Sequence, residues 1–347
     1  MDKIVTFIIL AYNVEQYLNK CLDSFLCPSV MKLMEVLIID DGSTDKTGKI
    51  ADDYASQYPQ TFCVIHKENG GHGSGINIGS HRARGKYFKA IDADDWVITE
   101  NLPGFITALS KCEADVVLTP FHTVDMMTGE RKAKYIANWK SNRVTVNDIL
   151  SHWSDFEDVC VFHGITYRSD FYRNSRNMLP EHTFYEDQVY NAIPFCNAEH
   201  IAISDIFVYQ YMIGNAQQSV SCENQAKRID HVERVLWSLI AYYQSVSGLS
   251  ETAKTYLFER IKSVCLIYLA TAFVYEKDKK KGRKLGRCLC GKLRAKFPEA
   301  WRAIRNKYGL YSLMNYGYVA PKKYQELVQS ANYRTIKNRV KGVLSKK

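Results

Sequence analysis

The apolar positions of this chain change period along its length. KIVTFIILAYN (3–13) is almost continuously apolar and β-branched, the pattern of a strand buried on both faces of a parallel sheet. Tyr17, Leu18, Cys21, Leu22, Phe25 and Leu26 then repeat at helical spacing, and EVLIID (35–40) predicts a second buried strand. GSTD (42–45) supplies a turn glycine and N-cap candidates ahead of a helix whose face is Ile50, Ala51, Tyr54, Ala55 and Tyr58. FCVIHK (62–67), KYFKAI (86–91) and DVVLTP (115–120) add three strands. Strands alternating with helices predict an α/β sheet, with ligands where the strands end.

Beyond about residue 125 the regularity weakens into a segment of mixed aromatic and polar residues. Past 222 the period turns helical: Ile229, Val232, Leu236, Leu239, Ile240 and Tyr243 form one stripe, and Tyr256, Leu257, Ile261, Val264, Cys265 and Tyr268 another. The division expected is 1–222 and 223–347, the former split into halves at 1–125 and 126–222.

With 347 residues, 46% of them hydrophobic, the chain can bury a core larger than one average domain. Its ten cysteines show no CxxC pair and no framework spacing, which points to reduced thiols in a cytoplasmic protein. MDKIVTFIILAYN is too short and strand-like for a cleaved signal. VCLIYLATAFVY (264–275), the longest later apolar run, falls short of the roughly 18–20 residues that span a bilayer. A soluble or peripheral protein is expected. The net charge of +9 hides an asymmetry: from Lys277 onward 21 Lys and Arg face 3 acids, a net +18 that leaves −9 for residues 1–276.

The chemistry gathers where predicted strands end. In FKAIDADDWVI (88–98) an apolar run stops at Asp92, and Asp94 and Asp95 follow. Carboxylates that close repel one another unless a cation joins them, and oxygen-only ligation by Asp92 and Asp94 suits Mn²⁺ or Mg²⁺. The other reading is an acidic turn capping the next segment. VLIIDDGSTD ends a strand in the same way; Asp40 is the better candidate to accept from a nucleotide base or ribose, while Asp41 and Asp45 read as solvated acids at a helix start. NGGHGSGINIG (69–79) has glycines that allow a close approach to a ligand, ahead of a helix offering its amides. It lacks the setting of a dinucleotide fingerprint and the GK[ST] of a P-loop.

AYNVEQYLNKCLDS, VLIIDDGSTDKTGKIADDY, NGGHGSGINIGSHRARGKYF and IDADDW, in that order, closely resemble the N-terminal half of family 2 glycosyltransferases of the GT-A fold, over about residues 3–120. The resemblance implies a GT-A, Rossmann-like nucleotide-diphospho-sugar transferase domain with a helical, basic C-terminal appendage. It also implies an inverting enzyme that moves a sugar from a nucleotide diphosphate, usually UDP, to a hydroxyl. Carried over, Ala11 and Tyr12 border the base, Asp40 binds it, Asn77 belongs to the donor site, and Asp92 and Asp94 form the DxD, with Asp94 the more direct metal ligand. The chain departs from the family at Leu10 and Ala11, where proline is usual, and at Ile76, where many members have arginine. His72, Arg82, Arg84 or Lys89 must then substitute.

MLPEHTFYEDQVYNAIPF (178–195) resembles the family's ED signature, which makes Asp187 the base for the acceptor hydroxyl and Glu186 its orienting neighbour. Without the resemblance, two acids in the first turn of a helix would suffice as an account. Ser219 and Ser221 in YQYMIGNAQQSVS are weak diphosphate candidates, and His163 reads as a packed histidine. Trp96, Trp153, Phe184 and Tyr185 can stack on sugars, although most of the 43 aromatics must serve packing.

GRKLGRCLCGKLRAKF (282–297) places Leu285, Cys288, Leu289, Leu293 and Phe297 near one helical face among basic residues, a helix able to lie on an anionic membrane. The alternatives are a solvated helix packed on the protein, an oligomer contact or a polymeric anionic acceptor. No nucleic-acid motif accompanies the charge. The function expected is a cytoplasmic, peripherally membrane-bound glycosyltransferase using a metal-bound nucleotide sugar and a glycan or lipid-linked acceptor of cell-surface polysaccharide synthesis. A nucleotidyltransferase on a similar sheet and a non-catalytic nucleotide-sugar-binding subunit are the alternatives.

Overall fold

The computed structural model describes residues 3–175, 177–214 and 221–329. The chain forms two compact units, Met1–Gln218 with Trp237–Arg260 and Ser219–Leu236 with Ile261–Lys347.

The first unit is α/β. Its strands are β1 (Val5–Ala11), β2 (Met34–Asp40), β3 (Phe62–His66), β4 (Tyr87–Asp92), β5 (Trp96–Val97), β6 (Val116–Leu118), β7 (Phe121–Asp125), β8 (Arg131–Lys134), β9 (Arg143–Val144), β10 (Ile165–Arg168), β11 (Ile201–Ile203) and β12 (Tyr209–Ile213). Eight strands form one sheet in the order β3-β2-β1-β4-β10-β6-β11-β9. The five strands expected up to residue 120 all occur. β1 and β2 are buried at every position, as their unbroken apolar runs require.

Strands β3, β2, β1 and β4 are parallel, and their register sets Ala11 beside Asp40 and Leu10 beside Asp92. The carboxylates at the ends of β2 and β4 therefore share one edge, on either side of the end of β1. Antiparallel β10 separates β4 from β6. A second sheet, β5-β12-β7-β8, joins Trp96–Val97 to three strands beyond residue 120, where the periodicity weakens. Its strands are short, and β8 is almost wholly exposed, so alternation has little burial to reflect.

Helices α1 (Glu15–Asp23), α2 (Thr47–Gln57), α3 (His72–Arg82) and α4 (Leu102–Ser110) connect the early strands. Helix α3 begins inside the glycine-rich segment, so its glycines act differently from the expectation. A Cβ on Gly79 would lie 2.4 Å from Ile8 Cγ2, and one on Gly75 2.8 Å from Leu10 Cδ2. These glycines bring α3 down onto β1, and the space beside Gly70 and Gly71 is likewise taken, by Ser74 and by the His182 backbone. Gly71, with φ of 83°, turns the chain into the helix. The segment beyond residue 125 adds α5 (Val146–Ser151), α6 (Trp153–Phe156), α7 (Ser169–Asn174), α8 (Asp187–Tyr190) and α9 (Ile193–Cys196).

The remaining helices are α10 (Cys222–Lys227), α11 (Ile229–Ser245), α12 (Glu251–Ala270), α13 (Lys279–Lys296), α14 (Pro298–Tyr316) and α15 (Pro321–Gln329), with a π-helical turn at Thr271–Tyr275. In the second unit Gly282 and Gly286 let α13 settle on that turn: Cβ atoms there would lie 2.1 Å from the Ala272 carbonyl and 2.4 Å from the Phe273 ring. Leu289, Leu293 and Phe297 are buried, whereas Cys288 is exposed. This corrects the expectation that the apolar face of 282–297 faces a membrane; it is spent on packing within the unit. All ten cysteines are free. No helix among the described residues is long and apolar enough to cross a membrane.

Candidate active site

The end of β1 turns at Asn13, whose φ of 52° is positive, and exposes half of Tyr12 while Ala11 stays buried. Asn13 N–H donates to Ser43 Oγ (3.0 Å) and its amide oxygen accepts from Thr44 N–H (2.8 Å), which joins the loops after β1 and β2.

Asp40 is buried at the end of β2. Its Oδ1 accepts from Ser43 N–H at 3.0 Å and its Oδ2 meets His66 Nδ1 at 2.8 Å, while His66 Nε2 lies 3.1 Å from Asp52. These two aspartates raise the pKa of His66. Asp41 departs from the expectation of a solvated acid. It is buried, pairs with Lys67, and accepts from Gly70 N–H (2.9 Å) and Gly71 N–H (2.8 Å). Those amides and Lys67 lie more than twenty-five residues away, so local sequence carries no sign of them. Asp45 does serve the start of α2, accepting from Thr47 N–H at 2.9 Å.

At the end of β4, His72 answers the crowded carboxylates. Its Nε2 lies 2.7 Å from Asp92 Oδ1, and its Nδ1 pairs with Glu186. Burial opposes charge on this imidazole, but Glu186 and Asp92 outweigh it and hold the pKa well above the ordinary value. Burial likewise pushes Asp92 up, and His72 overcomes it, so Asp92 titrates below the usual range. Asp94 lacks such a partner: burial and the charge of Asp92 raise it to about 6. Asp95 supports the loop, accepting from Tyr209 O–H (2.6 Å) and Met212 N–H (2.7 Å).

Of the four cations considered to replace the arginine expected at Ile76, only His72 enters this cluster. Arg84 pairs with buried Glu35. Lys89 is buried, donates to the His163 and Ile165 carbonyls (2.7 and 3.2 Å), and is lowered to about 7 by that burial. Arg82 is exposed at the end of α3, and Ile76 itself is fully buried. Asn77, expected beside the donor, is buried with its amide committed to the backbone of Leu179 in both directions, at 3.0 and 2.9 Å.

Those bonds are part of a seam. His182 N–H donates to the Gly70 carbonyl at 2.6 Å, and the space beside Gly73 is filled by the Pro180 carbonyl, 2.7 Å from where a Cβ would be. Positive φ at His182 (47°) and Tyr185 (68°) turns the segment so that Glu186 is buried and Phe184 exposed. Asp187 opens α8 and is raised to about 6 by burial and by Glu186, with Arg260 opposing. The hydroxyl of Tyr211 is raised by burial and then by Asp92, Asp95, Asp94 and Asp187, so all four carboxylates act on one ring.

One oxygen each of Asp92 and Asp95 and one nitrogen of His163 lie within 4.8 Å of one another, with Asp94 outside that group. Two carboxylate oxygens and an imidazole suit Mn²⁺, and burial lowers His163 to about 4, leaving its ring neutral. His163 also stacks on Tyr211, with centroids 3.9 Å apart, so the packing expected of it is present too. Ser221 caps α10 through Asn224 N–H (3.3 Å); Ser219 lies outside the described residues. Sequence reasoning named His72 only as one of four candidate cations, read His163 as packed, and missed His66 altogether.

The site is thus an α/β sheet whose strands end in clustered acids beside a glycine-rich helix, and sequence comparison gives its family. The profile of glycosyl transferase family 2 matches residues 6–188, more than half the chain. The chain belongs to glycosyl transferase family 2 and is a glycosyltransferase of the GT-A fold. The uncharacterized glycosyltransferase EpsJ of Bacillus subtilis (strain 168) is 26% identical over 259 residues, 73% of each chain. The minor teichoic acid biosynthesis protein GgaB of the same organism is 33% identical over 123 residues, 34% of this chain and 14% of that one. Among solved structures, S. aureus TarS 1–349 in complex with UDP-GlcNAc matches with a TM-score of 0.61 at 18% identity, covering 90% of this chain and 92% of that one. At that identity the likeness concerns the fold. The nucleotidyltransferase alternative falls with these matches.

Proposed function

We propose that this glycosyltransferase is an inverting enzyme that moves a sugar from a UDP-linked donor to a hydroxyl of a glycan or lipid-linked acceptor, in cell-surface polysaccharide or teichoic-acid-type synthesis at the cytoplasmic face of a membrane. The observation that carries the reading is His72, which ties Asp92 of the donor half to Glu186 of the acceptor half. The names of GgaB and of the TarS complex support the pathway class and the choice of UDP-GlcNAc as the first donor to test.

In this reading Tyr12 lies against the base, bordered by Ala11, and Asp40, oriented by His66, accepts from it. Asp92 and Asp94, with His163 and Asp95 alongside, hold Mn²⁺ or Mg²⁺. That ion supplies neutralisation of the leaving diphosphate, so no second acid is needed. Asp187 takes the proton of the acceptor hydroxyl as its oxygen bonds to the anomeric carbon and the bond to the diphosphate oxygen breaks. Glu186, fixed by His72, orients that hydroxyl. The position of Asn77 against Leu179 favours a role in supporting the donor-site helix over direct donor contact.

The test is calorimetric titration of UDP with Mn²⁺ and with chelator, followed by transfer from UDP-GlcNAc with the product's anomeric configuration read by NMR. Metal-dependent binding and inversion are expected. Retention of configuration, or UDP binding indifferent to metal, would overturn the corresponding part.

A further inference from the structure

Helix α14 buries Ala300, Ile304, Tyr311 and Asn315, positions that fall on one side at 3.6 residues per turn. Leu310, Leu313 and Tyr316 project away from that buried side; they are 41%, 69% and 61% exposed. Tyr318, just beyond the helix, is 72% exposed. Among the described residues, five of the eleven exposed large hydrophobics lie between Leu310 and Leu327. Single exposed apolar residues need no explanation, but a contiguous stripe does.

The surroundings of the stripe are cationic. Arg302, Arg305 and Lys307 are exposed on α14, and Lys322 and Lys323 on α15. Between residues 298 and 329 the acids are Glu299 and Glu326 alone. Glu299 sits in the first turn of α14, about 16 Å along the axis from Leu310 at 1.5 Å per residue. Arg283 lies over the Tyr316 ring, 4.7 Å from its centroid, adding a cation beside the aromatic end.

We propose that this face of α14, with Leu310, Leu313, Tyr316 and Tyr318 flanked by Arg302, Arg305 and Lys307, docks on an anionic lipid surface. The proposal rests on the reading above of a membrane-side enzyme and names the surface that α13, with its apolar face buried, does not provide. Leucines enter the acyl boundary, tyrosines rest at headgroup level and the basic residues meet lipid phosphates. A second copy using the same face would set Arg302, Arg305 and Lys307 against their own equivalents, since a two-fold contact pairs a patch with itself. Nucleic acid would satisfy the charge but leave Leu310 and Leu313 in water.

The test is co-sedimentation of the full chain with vesicles of phosphatidylcholine alone or mixed with phosphatidylglycerol, at low and high salt. The wild type is expected on the anionic vesicles, weakly or not at all on neutral ones, and less at high salt. The triple variant Leu310→Ser, Leu313→Ser, Tyr316→Ser should lose about tenfold or more in partitioning, as should Arg302→Gln, Arg305→Gln, Lys307→Gln. Circular dichroism confirms folding, and metal-dependent UDP binding on the same samples separates failure of this surface from failure of the donor reading. Wild-type partitioning in both folded triple variants would overturn the proposal. So would absence of vesicle binding, whether accompanied by a dimer that the serine variant dissolves or by retention on RNA.

Discussion

Glu186 and His72 are separated by 114 residues and yet share a hydrogen-bonded ion pair whose other nitrogen is held by Asp92. The imidazole is thus the charge that lets two acidic groups of separate chain segments, Asp92 and Glu186, approach one another. Removing it leaves Glu186, 3% exposed, as a buried acid without its counter-ion. His72→Gln keeps hydrogen-bonding capacity but removes the charge. It is expected to lower kcat/KM by about 10- to 100-fold with the fold retained, checked by steady-state kinetics and circular dichroism. Activity equal to the wild type would show that the ion pair positions nothing.

Asp187→Asn removes the proposed base and leaves the donor residues intact. The expected loss is about 10²- to 10⁴-fold in kcat, with UDP affinity within about twofold of the wild type by calorimetry. A loss of UDP binding instead would place Asp187 in the donor site.

The same residue sets a pH limb. Burial and Glu186 raise Asp187 to about 6, so the base form prevails above that value and kcat falls below it by about tenfold per pH unit. The limb should persist in Asp187→Glu and vanish in Asp187→Asn. Stability runs the other way. The folded state binds this proton more tightly than the unfolded chain, whose carboxyl keeps the ordinary 3.8. That contribution is complete below 3.8 and is lost as pH rises through about 6. Urea midpoints of wild type and Asp187→Asn should accordingly converge in acid and separate near neutrality.

Chelation, or Asp94→Asn, is expected to weaken UDP binding by about 10- to 100-fold. His163→Phe preserves a ring against Tyr211 but removes the nitrogen near Asp92 and Asp95. Mn²⁺ affinity read by electron paramagnetic resonance should fall in that variant. An unchanged affinity would assign the ion to carboxylates alone.

Gly79→Ala tests packing apart from chemistry. A methyl group 2.4 Å from Ile8 Cγ2 forces α3 away from β1. The expected loss is about 1–3 kcal/mol of stability by urea unfolding, despite alanine's better helix propensity. Unchanged stability would mean that α3 can shift freely on the sheet.

Strands whose burial is complete were legible because their near-continuous apolar, β-branched runs fit little else, and Asp40 and Asp92 announce where they stop. The Asp187 region was legible only through its likeness to a family motif. Asp41 was misread because its partners, Lys67 and the amides of Gly70 and Gly71, join it through the fold and leave no local trace. The glycines of α3 were assigned to ligand approach because a missing side chain does not say which neighbour needs the room. The face of α13 was misjudged for a related reason: an apolar stripe marks burial, and its partner proved to be the π-helical turn beside Phe273.

The seam between α3 and residues 179–186 has a consequence for how such enzymes diversify. Exchanging the segment beyond β6 for that of a relative looks like replacing a cassette. The Leu179 backbone, however, reads the Asn77 amide, and Glu186 reads His72. The exchangeable module is therefore that segment together with the helix it is stitched to, and a graft that leaves α3 behind meets the old fastenings.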